Sequence, residues 1–77
     1  MTITVLGAGM VGRAIALDLA AAFDVTSFDV SAHNLALLQQ RNGKIKTRVA
    51  DLRNTKLYDT LLSDFDMVVT AVPGFMG

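Results

Sequence analysis

The chain has 77 residues, seven basic and seven acidic side chains, a net charge of zero and no cysteine. With 52% hydrophobic residues and a mean hydropathy of +0.45 it is too apolar for a disordered segment, which is poor in apolar residues and rich in net charge. The lack of cysteine excludes a disulfide-stapled mini-protein and any thiolate metal site. An ordinary domain has roughly 150 residues, and one half that size buries only about 60% of its unfolded surface. So much apolar surface on so short a chain points to a compact piece of something larger, or to a subunit that buries surface against a partner.

The apolar N-terminus raises a signal peptide or a membrane helix. It lacks a basic leading region, and Gly7, Gly9 and Gly12 break the apolar run. Arg13 and Asp18 interrupt any stretch near the 18 or so apolar residues that spanning needs. No membrane association is expected, and the cytoplasm is the default compartment.

Strand and helix signals alternate along the chain. Thr2–Leu6 is a β-rich run ending at Gly7, followed by Val25–Asp29, Lys46–Ala50 and Met67–Val72. Between them, Met10–Ala22 has helical spacing with Val11, Ile15, Leu19 and Ala22 on one face. Ala32–Arg41 follows a Ser31 cap and stops before Asn42-Gly43. Thr55–Leu62 follows Asn54 and turns Leu57, Tyr58, Leu61 and Leu62 inward. Strands alternating with helices of this length predict right-handed crossovers and a parallel sheet, an α/β fold.

The strands differ in expected burial. Val68, Val69, Ala71 and Val72 read as a central strand covered on both faces, as do Ile3, Val5 and Leu6. Lys44, Lys46 and Arg48 instead alternate with Ile45, Thr47 and Val49, giving one wholly basic face. Lysine and arginine there discourage intermolecular pairing, so the third strand belongs at the sheet edge, as it is in the doubly wound order 3-2-1-4. The same reading takes most of the basic run at residues 41–56 as a solvated edge rather than a nucleic-acid footprint. The first helix is apolar nearly all round, with only Arg13 and Asp18 charged. Such a helix is expected to be covered on more than its sheet face, by further chain or by another subunit.

Gly7-Ala8-Gly9-Met10-Val11-Gly12 is G-x-G-x-x-G, placed directly after the first strand and opening the first helix. Gly7 permits the tight turn, Gly9 lets a pyrophosphate approach the backbone, and Gly12 lets the helix pack closely on the sheet. The free N–H groups and positive end of the helix dipole meet the phosphate charge. Asp29 ends the second strand, 22 residues beyond Gly7, where a carboxylate accepts hydrogen bonds from the adenosine ribose hydroxyls. It would repel a 2′-phosphate, and no Arg or Lys follows until Arg41, so the expected cofactor is NAD rather than NADP.

Met10 and Val11 are expected to shape the floor of the phosphate turn. Asp51, after the third strand, is placed either to approach adenine or to cap a helix. Arg13 is in reach of a phosphate but reads as solvent-exposed, and His33 as a surface residue. No paired carboxylates, Ser-His arrangement or metal-ligand cluster is present, so no catalytic residue is assigned.

Val5-Leu6-Gly7-Ala8-Gly9-Met10-Val11-Gly12-Arg13, then Asp29, then Ala71-Val72-Pro73-Gly74-Phe75-Met76-Gly77 resembles the N-terminal cofactor-binding segment of the saccharopine dehydrogenase-like family, lysine 6-dehydrogenase-type members in particular. The resemblance spans essentially the whole chain, and the Ala-Val-Pro-Gly turn is its most specific part. It implies a Rossmann-type βαβαβ(α)β parallel sheet, residues 1–77 being a truncated half of a doubly wound dinucleotide-binding domain. The remaining strands and a catalytic domain would lie beyond Gly77. It implies an NAD-dependent oxidoreductase acting on an amino acid or an imine-linked derivative, a homo-oligomer in the parent protein. Val72, Pro73 and Gly74 would line the cofactor cleft, since Pro73 cannot extend the strand ladder and Gly74 allows a close backbone approach.

Two other readings compete. One is a nucleotide-sensing module like the cytosolic regulators of potassium transport, which would bind NAD tightly without catalysis. The other is a nucleic-acid binder using residues 41–56, disfavoured by zero net charge and the edge-strand pattern.

Overall fold

A computed structural model of the chain describes residues 1–51 and 55–71. The strands are β1 (Thr2–Leu6), β2 (Asp24–Asp29), β3 (Lys46–Val49) and β4 (Met67–Thr70). The helices are α1 (Met10–Leu19), α2 (Ala32–Arg41) and α3 (Thr55–Asp64). All strand pairs are parallel, in the order β3-β2-β1-β4. Val5 pairs with Ser27, and Ser27 with Thr47, while the next row across the sheet is Leu6, Phe28 and Arg48.

Alternation along the strands feeds two apolar cores, one on each face. Val5 and Val25 face α1 and α2, packing with Ala16, Leu38 and Ile45. Leu6 and Phe28 face α3, packing with Leu61, and Phe28 meets Phe65 edge-to-face with centroids 6.3 Å apart. β1 is central and buried along nearly its whole length, whereas β3 is the basic edge, with Lys46 and Arg48 exposed. The fold is Rossmann-like, as the alternation of elements predicts.

α2 starts and stops where its caps predict, with the Ser31 hydroxyl accepting from the Asn34 N–H at 3.2 Å. α3 runs two residues beyond the expected end, burying Leu61 with Leu57 and Tyr58 beside it. Asn54 and the side chain of Leu62 lie outside the described residues.

The expectations for α1 and Arg13 are corrected. α1 ends at Leu19, not Ala22, and its inward face keeps the expected Ile15 and Leu19 but centres on the buried Gly12 and Ala16, with Ala20 alongside. Val11 and Ala22, expected to face the sheet, are exposed. Close backbone approach decides this orientation, because a Cβ on Gly12 would run into the Gly7 carbonyl and lie 3.6 Å from the Ala71 Cβ. The smallest residues therefore make the closest approach to the sheet, with Ile15 and Leu19 packing beside them. β4 is last in the sheet among the described residues, as the expected order 3-2-1-4 has it, with Met67 and Thr70 exposed and Val68 and Val69 half-buried on opposite faces. Arg13 is half-buried, not solvent-exposed, because its side chain folds back over the turn that precedes α1. No helix among the described residues is long and apolar enough to cross a membrane.

Candidate dinucleotide-binding site

The site is the turn from β1 into α1, together with the end of β2 beside it. Gly7 continues the ladder, donating its N–H to the Phe28 carbonyl at 2.6 Å. It then takes a φ of 103°, a left-handed conformation that L side chains rarely adopt. That reversal starts the turn, and Gly12 completes it by packing on the Gly7 carbonyl.

Gly9 has a different reason to be glycine. Its φ of −69° and ψ of −169° are open to any residue, and an added Cβ would meet nothing within 4 Å. Neither conformation nor packing within the chain calls for glycine there. The missing side chain leaves open space at the N-cap of α1, where no side chain caps the helix and no acidic residue stands in the first turn. Uncapped N–H groups and the positive dipole end form a cradle suited to a phosphate group.

Met10 and Val11, expected to shape the floor of this turn, are the first two residues of α1. They are 82% and 65% exposed, projecting outward because the close contact of Gly12 rotates them away from the sheet.

Asp29 is the last residue of β2 and is buried. One carboxylate oxygen accepts from the Ala8 N–H at 2.5 Å and the other from the Ser31 N–H at 2.8 Å. The side chain therefore ties the glycine turn to the loop that starts α2. Each carboxylate oxygen has a second lone-pair direction, so these bonds leave acceptor capacity. The main-chain carbonyl of Asp29 accepts from Ala50 at 2.9 Å, which brings the end of β3 to the same rim. Asp51 follows as an exposed residue just after that contact. Val30 and Val49, 69% and 61% exposed, stand at the same end of the sheet. Sequence reasoning passed over both, although an apolar residue directly after the β2 carboxylate was a readable signal. Val72, Pro73 and Gly74 lie outside the described residues. His33 is exposed on α2.

The basic run does not form a uniform surface. Lys44, Lys46 and Arg48 border a cavity of about 260 Å³ that Asp24 and Asp64 also line, so its charge is mixed.

A glycine turn with an open cradle and a buried carboxylate beside it is the geometry of a dinucleotide site. The family model for the saccharopine dehydrogenase NADP binding domain matches residues 3–77. The chain belongs to this family. It is a saccharopine dehydrogenase-like dinucleotide-binding segment, and a nicotinamide dinucleotide is its cofactor. Among solved structures it is similar to apo histidine-tagged saccharopine dehydrogenase (L-Glu forming) from Saccharomyces cerevisiae, with 27% sequence identity and a TM-score of 0.79. That likeness covers 94% of this chain and 16% of the yeast chain, so the segment spans a small part of the enzyme it matches. No curated protein sequence matches the chain.

Proposed function

We propose that the chain is the NAD(H)-binding segment of an amino-acid oxidoreductase resembling the saccharopine and lysine dehydrogenases. Residues 1–77 form the N-terminal part of its cofactor domain, and the catalytic groups come from elsewhere in the parent protein. The observation that carries the choice of NAD is Asp29, a buried carboxylate at the end of β2, joined to the glycine turn through Ala8. Its remaining acceptor positions suit the 2′- and 3′-hydroxyls of an adenosine ribose. The same negative charge opposes a 2′-phosphate, and residues 30–40 contain no Arg or Lys to offset it.

In this reading Gly7, Gly9 and Gly12 shape the pyrophosphate cradle, and the main chain at Met10 and Val11 supplies its donors. Asp51 borders the adenine side. The family resemblance assigns Val72, Pro73 and Gly74, outside the described residues, to the cofactor cleft. When bound, the dinucleotide supplies hydride exchange at nicotinamide C4 with a carbon bearing an amine or imine. This segment binds and orients it.

The test is titration of the full-length protein with NADH and NADPH. NADH is expected to bind more tightly, and Asp29→Ala to weaken NADH about tenfold while narrowing the preference. An unchanged affinity ratio would show that Asp29 is not the ribose ligand. Reduction of NAD by the full-length protein in the presence of amino acids tests the reaction class. Binding without turnover across an amino-acid panel would favour a nucleotide sensor.

A further inference from the structure

The open position of Gly9 poses a mechanical problem. Glycine is the most freely rotating residue; the Gly9 carbonyl is held by the Arg13 N–H at 2.8 Å, but on the side where a Cβ would stand nothing lies within 4 Å. Its neighbour Ala8 is fully buried and is held on both sides. The Ala8 N–H donates to the Asp29 carboxylate at 2.5 Å, and the Ala8 carbonyl accepts from the Arg13 guanidinium at 3.3 Å. That carbonyl shares a planar peptide with the Gly9 N–H, so fixing one fixes the direction of the other.

Arg13 reaches back because helical side chains lean toward the N-terminus, and its position one turn into α1 sets it over Ala8. The placement runs against local preference. A cation near a helix N-terminus is opposed by the dipole, and Arg13 is not paired with a carboxylate among the described residues. Residues that break a local rule in this way gather at functional sites.

We propose that Arg13 is a positioning residue of the dinucleotide site: with Asp29 it clamps Ala8 from opposite sides and so holds the Ala8–Gly9 peptide in the orientation that receives the pyrophosphate. The proposal rests on dinucleotide binding at this turn and not on the choice between NAD and NADP. It makes the turn sensitive to a side chain outside the glycine motif. The planar guanidinium can hold the carbonyl with one N–H and keep the rest of its donors toward solvent.

The test compares ADP-ribose and adenosine binding to the full-length protein by calorimetry, for the wild type, Arg13→Met and Arg13→Lys. Arg13→Met is expected to weaken ADP-ribose about tenfold and adenosine less than about twofold, with Arg13→Lys recovering most of the loss. Equal losses for both ligands, or none for either, would overturn the proposal. If the methionine variant fails to fold, the wild type still decides. Its Arg13 side-chain ¹⁵N resonances should be those of a guanidinium held in one orientation and should shift with ADP-ribose but not with adenosine. A freely rotating guanidinium overturns the role of Arg13 alone. A wild-type protein that binds no ADP-ribose overturns dinucleotide binding at this turn as well.

Discussion

Asp29 and Asp66 do the same chemistry at opposite ends of the sheet. Each accepts two hydrogen bonds, at least one from a main-chain N–H, and ties two separated parts of the chain together. Asp66, just before β4, accepts from the Thr2 N–H at 2.9 Å and the Thr2 hydroxyl at 3.3 Å. It closes the start of β1 onto the start of β4 in full solvent. Those two bonds, the main-chain one first, hold its carboxyl below the usual carboxylate range, with the nearby N-terminal amine adding to the effect. Asp29 is buried, and its two bonds leave the Gly9 turn open instead of filling it. Identical functional groups thus serve closure at one end and an open cradle at the other. The difference lies in what surrounds them: a short strand-to-strand staple in one case, a glycine turn at a helix N-terminus in the other.

Substitutions should separate the two ends, and the largest effect is expected at Gly12. A methyl group there meets the Gly7 carbonyl, so Gly12→Ala should cost about 3 kcal/mol by urea denaturation and abolish dinucleotide binding. A fully stable variant would mean that the turn can move and that its close contact is not required. Asp29→Ala comes next. It leaves the buried Ala8 N–H without its acceptor, costing about 1–3 kcal/mol in the same assay beyond its effect on NADH.

Gly9→Ala sharpens the contrast, because its stability and binding should part company. Nothing in the chain opposes the added methyl, so stability should change by less than about 1 kcal/mol, the range of an N-cap substitution. Dinucleotide affinity should still fall, by about tenfold in fluorescence titration with NADH. Retained affinity would remove Gly9 from the cradle.

The smallest effect belongs to Asp66→Asn, which should leave NADH affinity unchanged. Because the folded-state carboxyl is depressed, its ionised form stabilises the fold above the ordinary carboxylate pKa of about 4, and that contribution disappears as pH falls through the folded value. Urea midpoints of wild type and variant should therefore differ at neutral pH and converge on acidification. A gap that stays constant with pH would show that ionisation of Asp66 contributes nothing. Lost NADH affinity would break the division between the two ends.

Much of this was legible along the chain because it is local. The glycine spacing, the Ser31 cap, the Asn42-Gly43 stop and the alternation of Lys44, Lys46 and Arg48 each report a conformational or solvation preference of a few adjacent residues. The inward face of α1 was not legible in the same way. Hydrophobic spacing points to Val11 and Ala22 as well as Ile15 and Leu19, whereas steric contact between Gly12 and a residue five positions earlier centres the face on Gly12 and Ala16 and leaves Val11 and Ala22 exposed. Arg13 was misread as exposed for a related reason, since only the folded turn shows the carbonyl it bends back to meet.

By itself, then, the sequence determined the class of fold, the order of its strands, the place of the cradle and the carboxylate beside it. These follow from periodicity, turn chemistry and the topology that parallel crossovers allow. Tertiary structure alone decided that Gly12 and Ala16, rather than Val11 and Ala22, centre the inward face of α1. It also decided that Ala8 is gripped between Asp29 and Arg13, because contacts between residues apart in sequence leave no periodic trace to read.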